Sequence, residues 1–146
     1  MNYYFAYGSN MDETQMQERC PSAKLLGVAV LDNYELAFTI YSPKRECGCA
    51  DIVRKNGSTV YGLLYQLDDA DLARLDTFEG CPIHYQRISV PIMLDGKKMT
   101  AETYEVVTKQ PGQIPSGHYL GLLRAAAEKY GFPKEYRMLL DAFETN

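Results

Sequence analysis

Tyr3-Tyr4-Phe5-Ala6-Tyr7-Gly8-Ser9-Asn10-Met11 is the stretch on which the fold of this chain turns. Its aromatic run has strand character and stops at Gly8; two small hydrogen-bonding residues then lead into a polar, helix-prone segment. A strand, a tight turn and a helix start are thus adjacent. Glycine at such a turn lets the backbone approach a ligand with no Cβ in the way. The first N–H groups of the following helix have no partner inside it, so they can bind an anion or a polarised carbonyl. The same residues also suit a plain strand-to-helix connection capped by Ser9 or Asn10, and the remainder of the chain has to decide.

Outward from that stretch, the segment from Met11 to Arg19 reads as a short helix, with Asn10 and Glu13 spaced like a capping box, and Cys20-Pro21-Ser22 ends it. Leu26–Leu31 and Tyr34–Tyr41 read as strands joined by a tight turn at Asp32-Asn33, followed by a loop over Ser42–Gly48. Ala50–Arg54 and Thr59–Leu67 flank Asn56-Gly57, a dipeptide that accepts positive φ at both turn positions, so a hairpin is expected there. Tyr61, Leu63, Tyr65 and Leu67 share one face of its second arm, and Gly62 leaves room on the other. Asp68 to Thr77 is a helix with acids in its first turn, stopped at Gly80.

His84–Leu94 and Lys97–Val107 form a further hairpin around Asp95-Gly96, in which Pro91 argues for an edge strand or a bulge. After a loop over Lys109–Ser116, Ser116 caps an amphipathic helix that carries Tyr119, Leu123, Ala126, Ala127 and Tyr130 on one stripe. Gly131 closes it, and Pro133 opens a last helix that buries Tyr136, Leu139, Leu140 and Phe143. Six or seven antiparallel-looking strands with helices inserted and appended give an α+β fold, a partly closed barrel forming a single domain over residues 1–146.

A chain of 146 residues is long enough to bury a core without disulfides or metal. Its 46% hydrophobic and 23% charged residues place it among soluble globular proteins. The net charge of −4 and the lack of a lysine–arginine run argue against a phosphate-backbone ligand, so no nucleic-acid partner is expected. No apolar stretch is long enough to span a bilayer, which gives no membrane role and an expected cytoplasmic location. Cys20, Cys47, Cys49 and Cys81 fit reduced thiols in that compartment. Monomer and homodimer both remain open.

Glu79 is the candidate for chemistry. It falls at the C-terminal end of its helix, where unsatisfied carbonyls disfavour a negative charge. Burial among Phe78, Tyr85 and their neighbours would raise its pKa toward that of a working proton shuttle; an exposed last-turn glutamate is the other reading. Other sets fare worse. His84 and His118 sit in no nucleophile motif, and neither GxGxxG nor GxxxxGK[ST] occurs. Cys47-Gly48-Cys49 with Cys81 and His84 could supply a zinc shell, but its C-x-C half is tighter than the usual structural-zinc spacing. No metal and no cofactor are expected.

Three segments, in order, resemble one family. Tyr7-Gly8-Ser9-Asn10-Met11, Leu75-Asp76-Thr77-Phe78-Glu79-Gly80 with Tyr85-Gln86-Arg87, and Pro115-Ser116-Gly117-His118-Tyr119 look like the γ-glutamylcyclotransferases, and Val60-Tyr61-Gly62 and Gly131-Phe132-Pro133-Lys134-Glu135-Tyr136 fit the same pattern. The match runs from about residue 3 to residue 140. The resemblance implies a small mixed, mostly antiparallel β-barrel with surrounding helices. It also implies cleavage of a small-molecule γ-glutamyl amide by cyclisation, releasing 5-oxoproline and a free amine or amino acid. Under it Glu79 is the general acid/base. Tyr7, Gly8, Ser9 and Asn10 hold the γ-glutamyl group, Tyr4, Phe5 and Ala6 line the same pocket, and Tyr119 contributes a hydroxyl. Phe78 and Cys81 depart from the pattern on the leaving-group side. The competing reading is a non-catalytic domain that binds a γ-glutamyl or carboxylate ligand in that pocket.

Overall fold

Two turn-prone pairs, Asp32-Asn33 and Asn56-Gly57, face each other across one long ladder in the computed structural model, which describes residues 1–146. Neither reverses the chain. Asp32 pairs with Thr59 and Tyr34 with Arg54, so Asn33 stands opposite the four extra residues 55–58 of the other strand. Both sides adopt positive φ there, 65° at Asn33 and 84° at Gly57, and the Gly57 N–H donates to the Asn33 Oδ1 at 3.2 Å. The turn chemistry is real, but it is used for a matched irregularity within a continuous ladder. The two expected strand pairs therefore merge into β2 (Lys24–Ser42) and β3 (Cys47–Leu67). The true reversal is at residues 43–46, where Glu46 has φ 55°; Cys47 and Gly48, expected in a loop, pair with Ser42 and Tyr41.

Five strands result rather than six or seven: β1 (Asn2–Ala6), β2, β3, β4 (Tyr85–Leu94) and β5 (Lys97–Val106). They close into a barrel in the order β1-β3-β2-β4-β5, antiparallel except at the seam, where Tyr4 of β1 meets Glu102 of β5 in parallel. The β4–β5 hairpin turns at Asp95-Gly96 with positive φ at both, as its sequence predicts. Pro91 pairs toward β5, while β2 reaches β4 only at Met93 and Leu94; that open side accommodates a residue with no N–H.

A 3₁₀ turn (Ser9–Met11) follows β1 and precedes α1 (Glu13–Arg19); α2 (Asp69–Phe78), α3 (Gly117–Lys129) and α4 (Lys134–Ala142) complete the chain. None of these helices is long and apolar enough to cross a membrane. The inserted 3₁₀ turn moves the α1 cap. Asp12, not Asn10, accepts the Gln15 N–H at 3.1 Å, and Asn10 turns inward instead. The other expected helix ends hold: Ser116 caps α3, and Gly80 and Gly131 have the positive φ of helix stops; Asp68, read as the first residue of α2, is its cap instead. On α4, Tyr136 and Leu140 are buried, whereas Leu139 is exposed.

Strand alternation sorts the apolar residues into two cores. Ten buried residues, among them Phe5, Leu31, Ile52, Leu64 and Ile92, come from all five strands and their ends and from no helix, so they fill the barrel. The opposite face contributes Tyr4, Leu63, Tyr65 and Tyr104 to a 25-residue core shared with the helices. Gly62 separates them: a Cβ there would lie 2.4 Å from the Ala6 carbonyl oxygen and 2.8 Å from the Phe5 ring. Only glycine lets β1 lie this close to β3.

Candidate active site

The helix-side face of β1 ends in a small cavity of about 40 Å³. Tyr4, Tyr7, Gly8, Ser9 and Asn10 form one side of it, and Glu79 and Tyr119 are also on its wall. The sequence thus brings together seven of its nine candidate residues. The other two lie elsewhere. Phe5 projects into the barrel, with its carbonyl accepting from the Thr103 hydroxyl, and Ala6 is buried in the helix-side core away from the cavity wall. A strand alternates, so Tyr4 and Phe5 cannot both face one space.

The turn after β1 leaves three donors unused. The Met11 and Asp12 N–H groups bond back to the Gly8 and Ser9 carbonyls, but the main-chain N–H groups of Gly8, Ser9 and Asn10 have no partner in the protein. Gly8 has φ −115°, which any residue adopts, and a Cβ there would sit 3.4 Å from both the Tyr119 hydroxyl and Ala50. Its missing side chain keeps the cavity open.

Glu79 is the C-cap of α2; its own N–H donates to the Leu75 carbonyl at 2.9 Å, and the Gly80 N–H donates to the Thr77 carbonyl at 3.1 Å. The residue is half-buried, with its carboxyl on the inner cavity. Burial raises that carboxyl to about 7, against the opposing pull of the Arg19 and Arg45 guanidiniums. Asn10 holds it in place: its Nδ2 donates to the Tyr4 hydroxyl at 2.9 Å and to the Glu79 Oε1 at 3.4 Å. The amide is fixed by its other end, because Gln15 Nε2 (2.9 Å) and Arg19 Nη1 (3.1 Å) both donate to Asn10 Oδ1. Two donors on one oxygen specify which way an amide points.

Residues that the sequence did not single out complete the wall. Ala50 is clamped by two phenols: its N–H donates to the Tyr119 hydroxyl at 3.0 Å, and its carbonyl accepts from the Tyr85 hydroxyl at 2.7 Å. The Tyr7 hydroxyl donates to the Tyr104 carbonyl, and the Tyr104 hydroxyl to the Asp76 carboxylate, each at 2.6 Å. Burial pushes all five phenols above their ordinary range, so they stay protonated. Tyr85 lies in a segment that the sequence flags; Ala50 and Tyr104 carry no local signal, since only barrel closure brings them here. The Cys47, Cys49, Cys81 and His84 set does not converge, and no group of three or more His, Cys, Asp or Glu side chains is placed to hold a metal.

Beyond Glu79 the cavity meets an outer cleft of about 500 Å³, with Ser9, Glu79, Tyr85 and Tyr119 on the walls of both. A buried carboxyl near neutrality, unpaired main-chain donors and an open cleft beside them suit proton transfer to and from a bound amide.

The family model described as gamma-glutamyl cyclotransferase, AIG2-like, matches residues 4–121. The gamma-glutamylcyclotransferase of Mus musculus is 31% identical over 149 residues, covering 98% of this chain and 79% of that protein, and the Homo sapiens protein is 32% identical with the same coverage. A solved structure of a gamma-glutamyl cyclotransferase superposes with a TM-score of 0.93 at 30% identity, over 99% of this chain and 89% of that one. With a five-stranded mixed barrel and four helices matched from end to end, the chain belongs to the γ-glutamyl cyclotransferase, AIG2-like family.

Proposed function

We propose that this protein cleaves a γ-glutamyl amide by intramolecular cyclisation, with Glu79 as the proton-transfer group. The observation that carries the reading is a single buried carboxyl, raised to about 7, sharing a small cavity with the unpartnered N–H groups of Gly8, Ser9 and Asn10.

The substrate's own α-amine is the nucleophile, tethered to the γ-carbonyl it attacks, and a five-membered ring closes with high effective molarity. At neutral pH that amine is an ammonium. Glu79 as carboxylate removes one proton, the nitrogen lone pair forms the new C–N bond, and the carbonyl oxygen takes up negative charge. Glu79 then delivers that proton to the departing nitrogen as the oxyanion's electron pair re-forms the carbonyl and the original C–N bond breaks; the ring nitrogen loses its second proton to the released amine or to water, leaving 5-oxoproline and a free amine. A group titrating near 7 suits both halves of that exchange. The main-chain donors of the turn after β1 stabilise the developing oxyanion or hold the α-carboxylate, and Tyr4, Tyr7 and Tyr119 shape the cavity around the γ-glutamyl group.

A mass-spectrometric screen of γ-glutamyl amino acids, peptides and amines for 5-oxoproline tests the reaction. Glu79→Gln keeps the shape and the fold, and its turnover falls by about 10² to 10⁴. Release at a near-wild-type rate by that variant would end the assignment of Glu79. Ligand binding by the wild type with no turnover across the whole panel would replace the enzyme with a binding domain.

A further inference from the structure

Two side-chain amides stand in series beside Glu79. Gln15 of α1 donates from its Nε2 to the Ser9 Oγ and to the Asn10 Oδ1, each at 2.9 Å, and its Oε1 accepts from Arg45 Nη2 at 2.8 Å. Asn10 accepts from Arg19 Nη1 at 3.1 Å on that same oxygen, and donates to Tyr4 and Glu79. A guanidinium can only donate, so Arg45 draws the Gln15 oxygen to itself and Arg19 does the same to the Asn10 oxygen. Each amide has one sense left.

Both Gln15 hydrogens act on residues of the site. One occupies the Asn10 oxygen, which keeps the Asn10 Nδ2 hydrogens on the Tyr4 hydroxyl and the Glu79 carboxyl. The other goes to the Ser9 Oγ, which also accepts from Arg45 Nη2 at 3.4 Å. With both lone pairs of that oxygen taken, the hydroxyl has only its hydrogen to offer, and Ser9 stands on the walls of both the inner cavity and the outer cleft. Gln15 itself lines neither. It reaches no space that a substrate enters, yet it sets the sense of two side chains that do.

We infer that Gln15 is a positioning residue: it turns the Ser9 hydroxyl toward the substrate as a donor and holds the Asn10 amide in the sense that donates to Glu79. The inference rests on the cyclotransferase reading, in which Glu79 has to form a carboxylate to begin the reaction. A hydrogen donated to that carboxylate favours it, so losing the Gln15 hydrogens makes Glu79 harder to ionise. Arg19 and Arg45 are the charges that face Glu79. The five wall phenols stay protonated beside it, as does the Cys49 thiol, which burial pushes up to about 12.

Two substitutions separate positioning from mere support. Gln15→Glu keeps the size of the side chain and the acceptor for Arg45 but has no hydrogens for Ser9 and Asn10. Its unfolding midpoint stays close to the wild-type value, while kcat/KM for 5-oxoproline release falls about tenfold. An unchanged kcat/KM, or a loss that follows a matching loss of stability, overturns the inference and leaves the reaction standing. Gln15→Met removes the same hydrogens without adding charge, and it moves the acid limb of the kcat/KM profile to higher pH. In an Asn10→Ala background Gln15→Met no longer moves that limb; a shift of the same size there overturns the inference. Carbon-13 NMR of the Glu79 carboxyl, assigned with Glu79→Gln, follows the same titration without turnover. If no compound yields 5-oxoproline, the cyclotransferase reading falls, and this titration decides for Gln15. An upward shift in Gln15→Met that vanishes with Asn10→Ala upholds its role, and an unmoved carboxyl overturns it.

Discussion

Tyr4 and Phe5 are neighbours in β1 and stand in opposite kinds of interior. Phe5 belongs to a cluster of ten buried hydrophobic residues supplied by the strands and their ends and by no helix. Tyr4 faces a cavity whose wall holds five phenols, an amide and an ionisable carboxyl. The barrel interior can be dry and close-packed because nothing has to enter it. The helix-side cavity keeps polar groups out of water, which costs stability unless each finds a partner. Its hydrogen bonds through Asn10, Ala50 and Asp76 offset that cost, and they hold the site in one arrangement.

Substitutions on the two faces of β1 and its surroundings can break that contrast. The largest expected effect is the loss of two to four decades of turnover in Glu79→Gln, with its unfolding midpoint close to the wild-type value near pH 5. Phe5→Ala is the mirror case. It empties a fully buried site and costs about 3–5 kcal/mol in urea unfolding, while the fraction that stays folded retains wild-type KM. An equal loss of stability in both variants would mean that the faces are not separate.

A smaller effect depends on pH. The Glu79 carboxyl titrates near 7 in the folded protein, against an ordinary value of 4.5, so the folded state retains a proton that the unfolded chain releases between those limits. The stability linked to that proton is fully present below pH 4.5 and is lost as pH rises through 7. Glu79→Gln removes the penalty and gains roughly 2–3 kcal/mol on the wild type at pH 8, with little difference at pH 4.5. Wild-type activity runs the other way, rising with pH and levelling above 7 as the carboxylate forms. Thermal unfolding of both proteins across pH 4.5–8 measures the first; a difference that does not vary with pH would remove the raised carboxyl from the account. The smallest effect is that of Tyr4→Phe, which deletes one acceptor of the Asn10 amide. It should cost about 1 kcal/mol and lower kcat/KM a few-fold, by loosening the group that positions Glu79 and removing a hydroxyl from the cavity wall.

Legibility in the sequence follows the same division. Period-2 alternation and capping residues are local, so the β4–β5 hairpin, the cap of α3 and the helix stops at Gly80 and Gly131 can all be read from neighbours in the chain. What failed was local chemistry serving a non-local end. Asn33 and Gly57 have the backbone angles that their residue types favour, but a long ladder turns both to one irregularity. Asn10 looks like a cap because its spacing to Glu13 fits, and the intervening 3₁₀ turn hands that role to Asp12. Of the site itself, the β1 turn, Glu79 and Tyr119 are visible as motifs, whereas the motif does not distinguish Tyr4, on the cavity wall, from Phe5 and Ala6, which are not. Arg45 and Tyr104 were invisible, because their relation to Glu79 exists only once the β2–β3 reversal and the barrel seam have formed.

The clamp on Ala50 sets a polarity for whatever enters the cavity. A phenol has a single hydrogen, and Tyr7, Tyr85 and Tyr104 have already committed theirs to the protein, leaving only lone pairs to offer a guest. Tyr119 and Tyr4 receive hydrogens from Ala50 and Asn10, so their own remain unclaimed. Five chemically identical hydroxyls thus divide into three that greet an ammonium and two that greet an oxygen. The division is written by the neighbours of each ring and not by the rings themselves.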